Sequence, residues 1–179
     1  MSRLSKTLSL LILLVALVGG GSILYNQLAA KGAAGAGGGS NTAAPDFTVL
    51  DARGNEVSLS SFKGKPVVLN FWATWCGYCV DEMPAFESAY REYGDEAVFM
   101  MVNLTDGSSE TLESASGYIA AKGYTFPVYY DTKGSAVRAF GIRSIPVTCF
   151  IDAAGTIVSG GPGAIPEKAL QEGIESILP

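Results

Sequence analysis

The chain has 179 residues, 48% of them hydrophobic and 16% charged, which suits one globular domain with extra segments and argues against disorder. Its net charge is −5, and Arg3, Lys6 and Lys31 all precede the first acidic residue, so the remainder holds 9 basic against 17 acidic residues, a balance of −8. Such an acidic domain argues against nucleic acid and anionic lipid as its main partners. The complete lack of histidine excludes histidine-based triads, histidine metal sites and CxxCH haem attachment.

The N-terminus, residues 1–30, reads as an export segment. Arg3 and Lys6 precede the 11-residue apolar run "LSLLILLVALV", and no charge occurs from Thr7 to Ala30, a stretch of 24 residues. That is the pattern of a secretory signal, and the stretch is long enough to span a bilayer. The reading is an anchor that stays on the chain, with cleavage near Gly19–Gly21 as the alternative. In both cases the basic end stays in the cytoplasm and the remainder is exported. No cysteine precedes Cys76, so a lipid-modified N-terminal cysteine is excluded. Residues 31–44 form a Gly/Ala-rich linker with a random-coil reach of roughly 20 Å, and the globular domain is read as 45–179.

From Pro45 the pattern alternates between strands and helices. Residues 46–62 read as a hairpin turning at Arg53-Gly54-Asn55, and the apolar run "PVVLNFWA" at 66–73 as a central strand. A helix is expected over 77–93, stopped by Gly94, followed by a buried strand at 97–104. Residues 108–124 read as a helix capped by Ser109, 126–131 as a strand and 133–142 as a short helix. "PVTCFID" and "GTIVSGG" form a hairpin around Ala154-Gly155, and 166–178 is a closing helix with Pro166 in its first turn. This order implies an α/β domain, a mixed sheet with helices on both faces.

The chemistry centres on "FWATWCGYCVDEMP", residues 71–84. Two thiols at i and i+3 share one helix face and can close a small disulfide. At the helix N-terminus, exposed N–H groups and the macrodipole stabilise a thiolate, which makes Cys76 the nucleophile. Cys79, a turn further in, resolves the mixed disulfide. A zinc site would need more ligands than Cys149 alone supplies. A purely structural bridge over so short a loop would constrain the unfolded chain little. The pattern is that of redox chemistry.

The stretch "VVLNFWATWCGYCVDEMP" resembles the active site of the thioredoxin superfamily, in particular its TlpA/ResA-like (CcmG/DsbE-like) extracytoplasmic thiol–disulfide oxidoreductases. The resemblance extends over residues 45–178, through the hairpin and "GYTFPVYYDTKGSAVRAFGIRSIPVTCFIDAAGTIV". It implies a thioredoxin-like fold, a central mixed sheet flanked by helices with an extra N-terminal β-hairpin. It also implies a cis Pro146 facing the cysteines, with the backbone of Ile145 free to pair with a substrate peptide. Trp75 would cover the cysteines, while Trp72 fits the core equally well. Pro84 should kink the active-site helix.

ResA-like members carry a glutamate where Glu82 stands, able to raise the thiol pKa values and move a proton during exchange. Glu82 and its neighbour Asp81 also suit the helix dipole. Asn70 stands where cytoplasmic thioredoxins bury an aspartate and supplies no charge. Between the cysteines Gly77-Tyr78 departs from the family's usual proline, a dipeptide that tunes redox poise. Cys149 reads as a packed core thiol, with a redox role as the alternative.

The family resemblance implies a membrane-anchored thiol–disulfide oxidoreductase on the outer face of the bacterial cell membrane, with no dissociable cofactor. It would reduce exported protein disulfides, for example in apocytochrome c, with electrons from a membrane carrier of the CcdA/DsbD type. The alternatives are a DsbA-like oxidant or isomerase, a peroxiredoxin-like peroxidase, a Sco-type copper carrier and a non-catalytic redox sensor. The peroxidase would have threonine where Ala73 stands, and the copper carrier requires a histidine.

Overall fold

The computed structural model describes residues 42–179. The expected export segment and the linker through residue 41 lie outside them. Eight strands form one sheet: β1 (Thr42–Ala43), β2 (Thr48–Leu50), β3 (Glu56–Ser58), β4 (Val67–Trp72), β5 (Val98–Asn103), β6 (Val128–Tyr130), β7 (Val147–Ile151) and β8 (Thr156–Pro162). The helices are α1 (Gly77–Tyr93), α2 (Leu112–Lys122), α3 (Ser135–Ala139) and α4 (Glu167–Glu175), with a 3₁₀ turn at Leu59–Phe62. Among the described residues no helix is long and apolar enough to cross a membrane.

The strand order is β1-β8-β7-β4-β5-β6-β2-β3. The strands β4, β5 and β6 run parallel, β7 is antiparallel to β4, and the N-terminal hairpin β2–β3 extends the β6 edge. This is a thioredoxin-like fold. All six residues of β4 are buried, as its continuous apolar run requires of a strand covered on both faces. Its side chains alternate: Val68 and Trp72 pack with α1 and α4, whereas Val67, Leu69 and Phe71 pack toward α3. Asn70 belongs to the α1 row, and that parity brings it to the functional site.

The apolar face of α1 carries Met83, Phe86 and Ala89 into the core beside Phe99, Leu170 and Ile174. Each large side chain so buried contributes about 1.5–3 kcal/mol of transfer free energy. The helix runs from residue 77 to 93 as expected, with Pro84 inside it. Gly94 is its C-cap but keeps a right-handed conformation, φ −64°, so the stop is not a left-handed glycine.

Three sequence expectations need correction. The helix placed at 108–124 begins only at Leu112, because Thr111 and Ser114 exchange side-chain-to-backbone hydrogen bonds as a capping box. Ser109, expected as the cap, lies in an exposed loop ahead of it. Pro166 is the N-cap of α4 in extended conformation, not a residue of its first turn. Thr42 and Ala43, within the stretch read as linker, pair with Ile157 and Thr156 as an edge strand.

Candidate active site

The end of β4 leads into a tight turn in which the Cys76 N–H donates to the Ala73 carbonyl at 3.2 Å. Cys76 is the N-cap of α1, with φ −89° and ψ 103°, and its Sγ accepts the Cys79 N–H at 3.2 Å. The Cys76 sulfur thus takes the place of the usual capping oxygen, and a thiolate here would satisfy an orphan N–H while facing the positive end of the helix. The two cysteines form a disulfide. Cys79 has no exposed surface and Cys76 keeps 7%. An incoming sulfur therefore reaches Cys76 first.

Opposite the disulfide lies the cis Ile145–Pro146 peptide. The Cys76 Sγ is 3.8 Å from the Ile145 carbonyl oxygen. The Pro146 carbonyl accepts from Gly163 N–H at 2.8 Å, and the ladder to β4 begins at Val147, so Ile145 stands outside it. Trp75 is 59% exposed and Tyr78 73%, whereas Trp72 is fully buried. Trp75 stands on the turn directly before Cys76. It forms one wall of a depression of about 370 Å³ shared with Leu104, Ile142, Arg143, Ser144 and Ile145. Gly77 and Tyr78 are both exposed on the first turn of α1.

Glu82 lies on the same helix, one turn beyond Cys79, and is only 5% exposed. Its Oε1 accepts from Asn70 Nδ2 at 2.9 Å and its Oε2 from the Ile165 N–H at 3.0 Å. Burial pushes its carboxyl above the ordinary range, against the opposing pull of those two hydrogen bonds. Asn70 Nδ2 also donates to Thr148 Oγ1 at 3.1 Å, and Thr148 is its direct cross-strand partner on β7. One buried carboxyl thus ties α1, β4 and the segment before α4 together behind the cysteines. Asp81, in contrast, is exposed.

Thr148 and the Ile165 amide were not singled out in the sequence. Their contribution depends on strand register and a backbone group, which carry no composition signal. Glu110 was also missed. It is fully buried in a polar loop and accepts hydrogen bonds from Thr74 and Asn103. A glutamate in "TDGSSET" reads like any solvated loop acid. Cys149 packs with Leu69, Phe71 and Ala136 in the cluster on the far face of the sheet from the cysteine pair, and burial pushes its thiol up to about 11. Among the described residues no group of three or more Cys, Asp or Glu side chains could hold a metal ion.

Fold and site together define a thiol–disulfide oxidoreductase of the thioredoxin-like class. The AhpC/TSA family model matches residues 41–159. The thiol-disulfide oxidoreductase ResA of Geobacillus thermodenitrificans is 33% identical over 175 residues, spanning 97% of this chain and 95% of the relative. The thioredoxin-like protein YneN of Bacillus subtilis is 34% identical over 132 residues, 74% of this chain and 76% of its own. Among solved structures, a putative thiol:disulfide interchange protein DsbE from Chlorobium tepidum matches with a TM-score of 0.69 at 30% identity, covering 78% of this chain and 97% of that one. The exposed lipoprotein thioredoxin Etrx1 of Streptococcus pneumoniae matches at 0.64, also with 30% identity, over 73% and 98%. The chain belongs to the AhpC/TSA family, on its ResA-like thiol–disulfide oxidoreductase side.

Membership of that family also raises the peroxidase reading. The position three residues before the nucleophile is Ala73, fully buried, and the hydroxyl of Thr74 is committed to Glu110 at 2.7 Å. No hydroxyl is left free on this turn to orient a peroxide beside Cys76.

Proposed function

We propose that this protein is a membrane-anchored, extracytoplasmic reductant of protein disulfides. The observation that carries the reading is Cys76 as a sulfur N-cap facing Ile145, with Cys79 sealed beneath it and the buried Glu82 carboxyl one turn further on. In the reduced state the Cys76 thiolate attacks a substrate disulfide, forming a mixed disulfide and releasing one substrate thiolate. Cys79, deprotonated, then attacks Cys76 Sγ. This releases the second substrate thiol and leaves the Cys76–Cys79 disulfide, so two electrons pass to the substrate.

Glu82 supports the reducing direction. A dithiol is a strong oxidant when its reduced form is stabilised as thiolate. A carboxylate behind the pair disfavours thiolate and so works the opposite way. In this reading the same group, one turn along the helix from Cys79, takes the Cys79 proton when the resolving step begins. The substrate segment would lie along Ile145 and Pro146 by backbone pairing, with Trp75 at its flank. The segment 1–30 would hold the domain at the outer membrane face, near a CcdA/DsbD-type electron donor. Exported disulfides, those of apocytochrome c among them, are its substrates in this reading.

The test is a Cys79→Ala variant of the full chain, which cannot resolve its mixed disulfide. Covalent complexes with exported proteins, recovered from the membrane fraction and released by reductant, are the expected result. Complexes only with cytoplasmic proteins, or none, would contradict it.

A further inference from the structure

Glu110 takes no part in the exchange steps, yet its fully buried carboxyl group accepts on both oxygens. Oε2 accepts from the Thr74 N–H at 3.1 Å and the Thr74 hydroxyl at 2.7 Å, and Oε1 from Asn103 Nδ2 at 2.9 Å. Asn103 Oδ1 accepts in turn from the Thr105 hydroxyl at 2.7 Å. The loop that carries Glu110 folds back on itself, with the Gly107 N–H donating to the Glu110 carbonyl at 2.9 Å and the Glu110 N–H to Asp106 Oδ1 at 3.0 Å. Gly107 adopts φ 79°, the left-handed geometry that glycine enters without strain.

The two ends of this network flank the two walls of the depression beside the disulfide. Thr74 adjoins Trp75, and Asn103 and Thr105 enclose Leu104. Trp75 and Leu104 line the depression with Ile142 and Ile145, and Arg143 is the one charged residue among its lining. The hydrogen bonds on Thr74 fix the turn of backbone from which Trp75 projects. Thr74 is held at both its N–H and its hydroxyl by one buried carboxyl oxygen, Oε2 of Glu110.

We propose that Glu110 is a positioning residue that sets the separation of Trp75 and Leu104, and so selects a substrate with a large apolar side chain next to its reactive cysteine. The proposal rests on the reading that substrate lies along Ile145 beside this depression. Glu110 does not touch the reacting sulfurs. Its effect should therefore fall on KM, and only for substrates that fill the depression.

Two peptide disulfides serve as probes, one with phenylalanine and one with glycine beside the cysteine. They are compared on the wild-type protein and on Thr74→Val, Glu110→Gln and Trp75→Ala. Thr74→Val removes the hydroxyl bond while keeping the branched shape. Glu110→Gln keeps the size but turns an amide donor toward Thr74 or Asn103. For both, KM for the phenylalanine peptide should rise about tenfold, equivalent to about 1.4 kcal/mol. Its kcat and both constants for the glycine peptide should stay near wild type.

Thr74→Val is the safer variant for folding and is decisive by itself. If it folds and keeps the wild-type preference for phenylalanine, the proposal is wrong. Equal losses with both peptides would make Glu110 a merely structural residue and also overturn it. Trp75→Ala separates the two levels. Loss of the preference there, with none in Thr74→Val or Glu110→Gln, would sink the brace and keep the substrate site. An unchanged preference in Trp75→Ala would remove the substrate site itself.

Discussion

Asn70→Leu tests the polar cluster behind the cysteines. The substitution is close in volume and removes the donor that Glu82 Oε1 now holds at 2.9 Å, leaving only the Ile165 N–H on Oε2. The folded Glu82 carboxyl titrates above its ordinary value because it is buried. Between the unfolded and folded values the native state binds more protons than the unfolded chain, so stability falls as pH rises through that window. Loss of the Asn70 donor raises the carboxyl further and extends the fall to higher pH. A hydrogen bond to a charged group is worth about 1.5–3 kcal/mol and a neutral one about 0.5–1.5, so the penalty of Asn70→Leu should be roughly 1 kcal/mol larger at about pH 8 than at about pH 4. The leucine gains apolar burial equally at every pH, and the remaining acids are common to both proteins, so the difference isolates Glu82. Urea unfolding of the oxidised proteins at the two pH values measures it. On the proposed role of Glu82 as proton acceptor, which requires it ionised, the pH profile of disulfide exchange in the reduced state should also move in the alkaline direction. An equal penalty at both pH values would refute the coupling between Asn70 and Glu82.

Cys149, with its thiol pushed up to about 11 on the far face of the sheet, should resist alkylation in the native reduced protein while Cys76 reacts, as peptide mapping after brief labelling would show. Cys149→Ala should retain exchange activity. Gly173 lies where an added Cβ would run into the Phe150 ring, so Gly173→Ala should displace α4 from β7, cost about 1–3 kcal/mol and lower the melting temperature by several degrees. Its activity at low temperature should survive, since α4 contributes no side chain to the exchange steps. A variant with an unchanged melting temperature would contradict that packing.

Local patterns made much of the fold readable. The apolar run of β4, the span of α1 and the hairpins at Gly54 and Gly155, both with positive φ, follow from period, β-branching and turn chemistry. The cysteine pair was legible because its spacing and its place at a helix start carry their own chemistry. Thr111 was missed as a cap because it follows Ser108 and Ser109, and only the reciprocal bond from Ser114 selects among such residues. The strand at Thr42–Ala43 is made by backbone pairing to β8, to which a Gly/Ala-rich composition gives no clue. Asn70 and Glu82 were visible separately. Their contact follows from the parity of β4 and the one-turn step from Cys79, whereas Glu110 acquires its role from a loop that only the tertiary fold brings under Thr74.

The central claim is that Cys76 and Cys79 form a reducing dithiol. Its most direct test is the reduction potential of the pair, followed by tryptophan fluorescence in defined thiol buffers, with the exposed Trp75 beside the disulfide as reporter. A value near or below about −250 mV, in the thioredoxin range, is expected of an exported reductant fed by a membrane carrier. A value of roughly −120 to −180 mV would mark an oxidant or isomerase and contradict the reductive assignment.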